Sequence, residues 1–174
     1  MSTLRPVADL MELAARTAPK ARGRDFVVTC ILEGKAIQDL AARMAEYGER
    51  TQRKIFTRDA RNVAASEMVV LVGIKDAERC TLNCGACGAE SCDDLDINRH
   101  EGEFRGPQCA LRLLDMGIAL GSAAKTAGWL NADNRMMYTI GVAARAAGMI
   151  DADVVIGIPL SATGKSIYFD RPAA

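Results

Sequence analysis

Net charge is what this sequence most plainly lacks: 22 Lys and Arg balance 22 Asp and Glu in 174 residues. Nucleic acids and anionic membranes select a basic excess, so neither is an expected partner. No apolar run reaches the length of a membrane span. Arg5, Glu12 and Arg16 interrupt the first twenty residues, so no signal-peptide apolar core is present and the cytoplasm is the expected compartment. Histidine is nearly absent too. The single His100 sits between Arg99 and Glu101, reads as a surface residue, and gives no Ser/His/Asp set to assemble. Internal repeats and low-complexity tracts are missing.

What is present is a globular composition, 49% hydrophobic and 25% charged. That length and composition predict one domain over residues 1–174. Val7, Leu10, Met11 and Ala14 predict a helix over 3–18. Residues 26–32 are apolar and β-branched and read as a buried strand. Ile37, Leu40, Ala41 and Met44 share one face of a second helix, with Gly48 as its stop. Residues 54–57 read as a short strand and 68–74 as the clearest buried one. Pro107 is placed to open a long helix to Ala127. A further helix runs from Arg135 to Ala147, followed by strands at 154–158 and 166–169. The predicted class is α/β (α+β): a mixed sheet flanked by helices, with residues 75–109 inserted as a separate module. Trp129, Tyr138 and the methionines are expected in the core.

Cysteine is concentrated in that module. Five of the six cysteines (Cys30, Cys80, Cys84, Cys87, Cys92 and Cys109) fall between positions 80 and 109. Reduced cytosolic thiols in such a cluster point to metal rather than disulfides. The pattern is Cys84-x2-Cys87-x4-Cys92-x16-Cys109. Four thiolates suit an iron–sulfur cubane, and Gly85 and Gly88 let the loop approach it closely. Cys109, near a helix start, gains from the dipole as a thiolate. Structural zinc more often shows two knuckles, and plant-type [2Fe–2S] proteins reverse the x4 and x2 gaps. The spacing favours [4Fe–4S] and leaves those two as alternatives. Cys30 reads as core and Cys80 as an unligated thiol. Glu90, Asp93, Asp94 and Asp96 read as a solvated acidic rim.

The stretch Asn83-Cys84-Gly85-Ala86-Cys87-Gly88-Ala89-Glu90-Ser91-Cys92, followed by Cys109, resembles the [4Fe–4S] segment of electron-transport complex B subunits and corrinoid iron–sulfur proteins. With residues 15–23, 133–138 and 158–165, the whole chain resembles the ferredoxin-domain-containing family DUF2148. That resemblance implies a cluster held by Cys84, Cys87, Cys92 and Cys109, without a named donor or acceptor. The body is more distantly similar to the FMN-dependent nitroreductase fold, through residues 13–19, 117–128, 143–148 and 156–159. This second resemblance implies a homodimer, with Lys20, Arg22 and Lys165 as FMN-phosphate ligands. The family's arginine-rich opening motif lacks a counterpart here. Three functions follow as expectations: one-electron transfer, a flavin plus iron–sulfur oxidoreductase, or a non-enzymatic sensor or scaffold. Gly164-Lys165-Ser166 is not a phosphate loop, because Pro159 stands where the first glycine belongs. The helix from Pro107 to Ala127, with Leu111, Leu114, Ile118, Gly117 and Gly121, is the expected dimer surface.

Overall fold

The computed structural model describes residues 3–169. Its elements are α1 (Arg5–Thr17), a 3₁₀ turn (Ala21–Gly23), β1 (Val27–Glu33), α2 (Lys35–Thr51), α3 (Lys54–Ala64) and β2 (Met68–Ile74). They continue with β3 (His100–Glu101), β4 (Arg105–Gly106), α4 (Ala110–Trp129), β5 (Asp133–Asn134), α5 (Tyr138–Ala146) and β6 (Val154–Ser161). The main sheet has the order β1-β2-β6-β5. Its helix-flanked class is as expected, but every pairing in it is antiparallel rather than mixed. Two helices, α2 and α3, separate β1 from β2 and return the chain to the end it left. A single crossover helix would instead have given a parallel pair.

β2 organises the layers. All seven of its residues are buried. Met68, Val70, Val72 and Ile74 join the core under α1 and α4, whereas Val69 and Leu71 join the core under α2, α3 and α5. Period-two alternation thus feeds two apolar cores, one on each face of the sheet. α5 lies directly on β6. A Cβ on Gly141 would fall inside the Val155 carbonyl, and one on Gly157 inside the Ile140 side chain.

Several local readings need correction. Residues 54–57 open helix α3, because Phe56, Ala60 and Val63 repeat at helical spacing and are all buried. Gly48 lies inside α2, where its missing side chain admits Phe56 and Thr57; Gln52, in the left-handed region, is the C-cap. Pro107 stands before α4 rather than at its first turn, and Cys109 is the N-cap. Residues 166–169 form no strand; Tyr168 is instead buried, its hydroxyl 3.0 Å from Ser66 Oγ. Trp129 is 72% exposed, with Lys125 over its ring. Met136 is exposed and Tyr138 half-buried. Cys30, on strand β1, is half-buried, and burial first, then Glu12, pushes its thiol pKa up.

Candidate functional site

The strand register defines two ends of the sheet. Val27, Ile74 and Val154 pair at one end, called here the upper. Glu33, Met68 and Leu160 lie at the lower end. The 3₁₀ turn leads into β1 at the upper end, and the cysteine segment leaves β2 there.

Asp153 and Arg22 of the body hold that segment from outside, and Arg79 and Asn83 brace it from within. Asp153, buried at the start of β6, accepts from the Asp76 N–H at 2.7 Å and from Arg105 Nη1 at 3.2 Å. Arg22 Nη1 donates to the Cys80 carbonyl (3.0 Å) and to Thr81 Oγ1 (2.6 Å). Arg79 Nη1 donates to the carbonyls of Cys92 and Asp93 at 2.8 and 3.0 Å. Asn83 closes the loop on itself: its Oδ1 accepts from the Cys92 N–H (2.8 Å), and its own N–H donates to Cys92 Sγ (3.3 Å). Gly85 and Gly88 have φ of +67° and +87°, conformations that side chains resist.

All six cysteines are free thiols. Cys80, Cys87 and Cys109 share a small apolar cluster with Leu95, Ile97 and Leu111. Cys84 is exposed and Cys92 half-buried. Burial pushes the Cys109 thiol up, but N–H groups of Cys80, Leu111 and Arg112 outweigh it, and the pKa falls below the ordinary value. Cys80 moves the other way, raised first by burial. Its burial beside Cys109 was not anticipated from the sequence. Among the described residues, no three His, Cys, Asp or Glu groups converge closely enough to hold a single metal ion.

The chemistry of this donor set suits a soft, multi-iron centre. Thiols, an N–H aimed at sulfur, a glycine loop and an apolar wall are what such a centre requires. A buried polar atom without a partner adds to that fit. Arg112, on α4, is 1% exposed. Its Nε donates to the Glu78 carbonyl (2.9 Å). Its Nη1 donates to the carbonyls of Ala21 and Arg24 and to Asp115 Oδ2, at 2.9, 3.3 and 3.0 Å. Nη2 has no acceptor. Asp115 Oδ1 meanwhile accepts from the Ala21 N–H at 2.7 Å. An Arg and an Asp three apart in an apolar helix are the signal that betrays this pair in the sequence.

The three cations expected around an FMN phosphate are not gathered by one chain. Lys20 has a 6% exposed side chain, its Nζ donates to the carbonyls of Ala15 and Arg16, and burial lowers its pKa. Arg22 is bonded to the cysteine segment. Lys165 is exposed and follows β6 at the lower end of the sheet. His100 and the four acids at 90, 93, 94 and 96 are exposed. Among the described residues, no helix is long and apolar enough to cross a membrane.

Nitroreductase A from Vibrio parahaemolyticus matches 93% of the chain at a TM-score of 0.57 and 9% identity; the chain spans 60% of that protein. A nitroreductase with bound FMN from Desulfitobacterium hafniense matches 95% of the chain, and 80% of its own, at 0.60 and 13% identity. Nitroreductase CinD from Lactococcus lactis, in complex with nicotinic acid, matches 98% and 86% at 0.61 and 13% identity. At such identities the likeness shows the fold, which is nitroreductase-like. A family profile described as an uncharacterized protein containing a ferredoxin domain matches residues 105–171. An Archaeoglobus fulgidus relative, described as an uncharacterized protein, is 48% identical over 163 residues, 93% of this chain and 88% of its own. The matched family is described as containing a ferredoxin domain, and the structural likenesses show the fold alone. The chain belongs to the ferredoxin-domain family DUF2148.

Proposed function

We propose that this protein transfers single electrons through a [4Fe–4S] cluster ligated by Cys84, Cys87, Cys92 and Cys109. The observation that carries this reading is the reduced four-thiol set on a loop anchored by Arg22, Arg79, Asn83 and Asp153. A cluster with four thiolate ligands supplies outer-sphere electron transfer and leaves no open iron site. The chain's own residues fix the loop, donate N–H groups to sulfur and exclude water with Leu95, Ile97 and Leu111. Anaerobic reconstitution should give about four irons and four sulfides per chain. Replacing any of the four ligands by Ser should abolish that content, while Cys30→Ala and Cys80→Ala keep it. Stoichiometric zinc without sulfide in freshly prepared anaerobic protein would refute the reading.

A flavin plus iron–sulfur oxidoreductase is the second reading, favoured by the likeness to a nitroreductase crystallised with FMN. Lys20 and Arg22 lie at one end of the sheet and Lys165 beyond the other, so a phosphate site using all three would need two chains. We therefore also propose a homodimer through the outer face of α4. Leu114 and Ile118 are 59% and 46% exposed there, and Gly117 and Gly121 leave open space. Burying such a face drives association. Sedimentation should show a dimer that Ile118→Glu converts to a monomer, and a compact wild-type monomer would refute it. Equilibrium dialysis of the cluster-loaded protein tests FMN uptake, which Lys165→Glu should abolish without loss of iron.

A further inference from the structure

Arg112 holds more charge than the architecture around it uses. A guanidinium presents five N–H donors and is never neutral in a protein. Here Nε and Nη1 bind the Glu78, Ala21 and Arg24 carbonyls and Asp115, which accounts for a structural role. They tie the 3₁₀ turn, the start of the cysteine segment and α4 together. Nη2 is left over, fully enclosed and without an acceptor. Leaving a charged donor unpaired away from water costs more than its siblings' bonds recover, so such atoms call for an absent partner. The Phe26 ring closes over the guanidinium, with Cζ 4.8 Å from its centroid.

The surroundings say what that partner is. Arg112 lies three residues after Cys109, and Ala21, whose carbonyl it binds, packs against the cluster that holds Cys80 and Cys109. Its Nε bond reaches the Glu78 carbonyl, two residues before Cys80. Cys80 and Cys109 are the two fully buried thiols of the segment. Two buried sulfurs of the segment therefore adjoin the residues that the guanidinium binds.

We propose that Arg112 is a positioning residue for the cluster, donating from Nη2 to a ligand or bridging sulfur and setting the reduction potential with its buried charge. This rests on the assignment of the four cysteines as cluster ligands. An iron–sulfur centre with four thiolates is anionic and becomes more so when it gains an electron. A fixed cation beside it favours the reduced form, and N–H donation to sulfur acts in the same direction. Burial removes the salt screening that would erase the effect at the surface. Asp115 opposes it, so the potential reflects the pair.

The test is a redox titration, followed by electron paramagnetic resonance, of anaerobically reconstituted protein with iron and sulfide measured on each sample. Arg112→Met keeps the bulk and removes the charge; its midpoint potential should fall below that of wild type. Arg112→Lys restores the charge without the fork and should lie between the two. Asp115→Asn removes the opposing charge and should raise the potential, giving a second readout if Arg112→Met does not fold. Lys35→Met removes an exposed charge at the lower end of the sheet, away from the segment, and should leave the potential unchanged. Cluster-loaded Arg112→Met at the wild-type potential, or Asp115→Asn that fails to raise it, overturns the proposal. Wild-type protein that takes up no iron and sulfide overturns the cluster assignment and this inference together.

Discussion

The sandwich and the cysteine segment are supported by different means. In the sandwich, apolar burial is continuous: every residue of β2 is buried, and each face of the sheet has its own core. Across residues 75–109 only Ala77, Cys80, Leu95, Gln108 and Cys109 are buried. Polar contacts from Asp153, Arg22, Arg79 and Arg112 replace the missing core. Hydrophobic burial supplies stability in proportion to area, whereas these anchors supply position one bond at a time. The body is thus built to be stable and the segment to be placed.

Substitutions can break that contrast. The largest effect belongs to the body: Gly141→Ala pushes a methyl into the β6 backbone and should cost about 3 kcal/mol, read as a lower urea midpoint with an unchanged slope. Next comes alkali. Burial drives the Tyr168 hydroxyl up to about 12 from the ordinary value near 10, against the lowering effect of its Ser66 hydrogen bond. The unfolded chain then loses this proton first, so its contribution is intact below about pH 10 and lost as pH rises toward 12. That loss approaches about 2–3 kcal/mol, and Tyr168→Phe should remove this component of the alkaline slope.

On the segment's side, Asp153→Ala frees both the Asp76 N–H and Arg105 at a cost of about 1–2 kcal/mol. Limited proteolysis of the metal-free protein should then cut within residues 75–109 faster, while β1, β2 and β6 keep their hydrogen-exchange protection. The smallest effect is Arg79→Ala, about 0.5–1 kcal/mol, read as faster iron loss to a chelator. If Asp153→Ala unfolded the sandwich cooperatively, body and segment would be one unit.

The same contrast governs what the sequence revealed. β2 and α1 were legible because their apolar periods are local and long. α3 was not, because its first four residues look β-branched and aromatic while its helical repeat of Phe56, Ala60 and Val63 is diluted by polar residues. Gly48 misled because a glycine that ends a helix and one that admits a neighbour look alike. Tyr168 has strand-like neighbours, yet it is buried by tertiary packing rather than by pairing. In the segment, the cysteine spacing named the candidate ligands, but the anchors' distant partners could not be read. Arg22 meets Thr81 across 59 positions and Arg112 meets Ala21 across 91, separations that no local pattern encodes.

The seam between α5 and β6 has a mechanical meaning. Backbone touches side chain or backbone at Gly141 and Gly157, with no flexible filler between the two elements. Val155, the residue met at Gly141, is two positions from Asp153, which grips the cysteine segment at both of its ends. The seam therefore acts as a datum surface. A side chain inserted there would not merely loosen the body. It would displace the point from which the thiols are measured, because Asp153 ties that point to the segment.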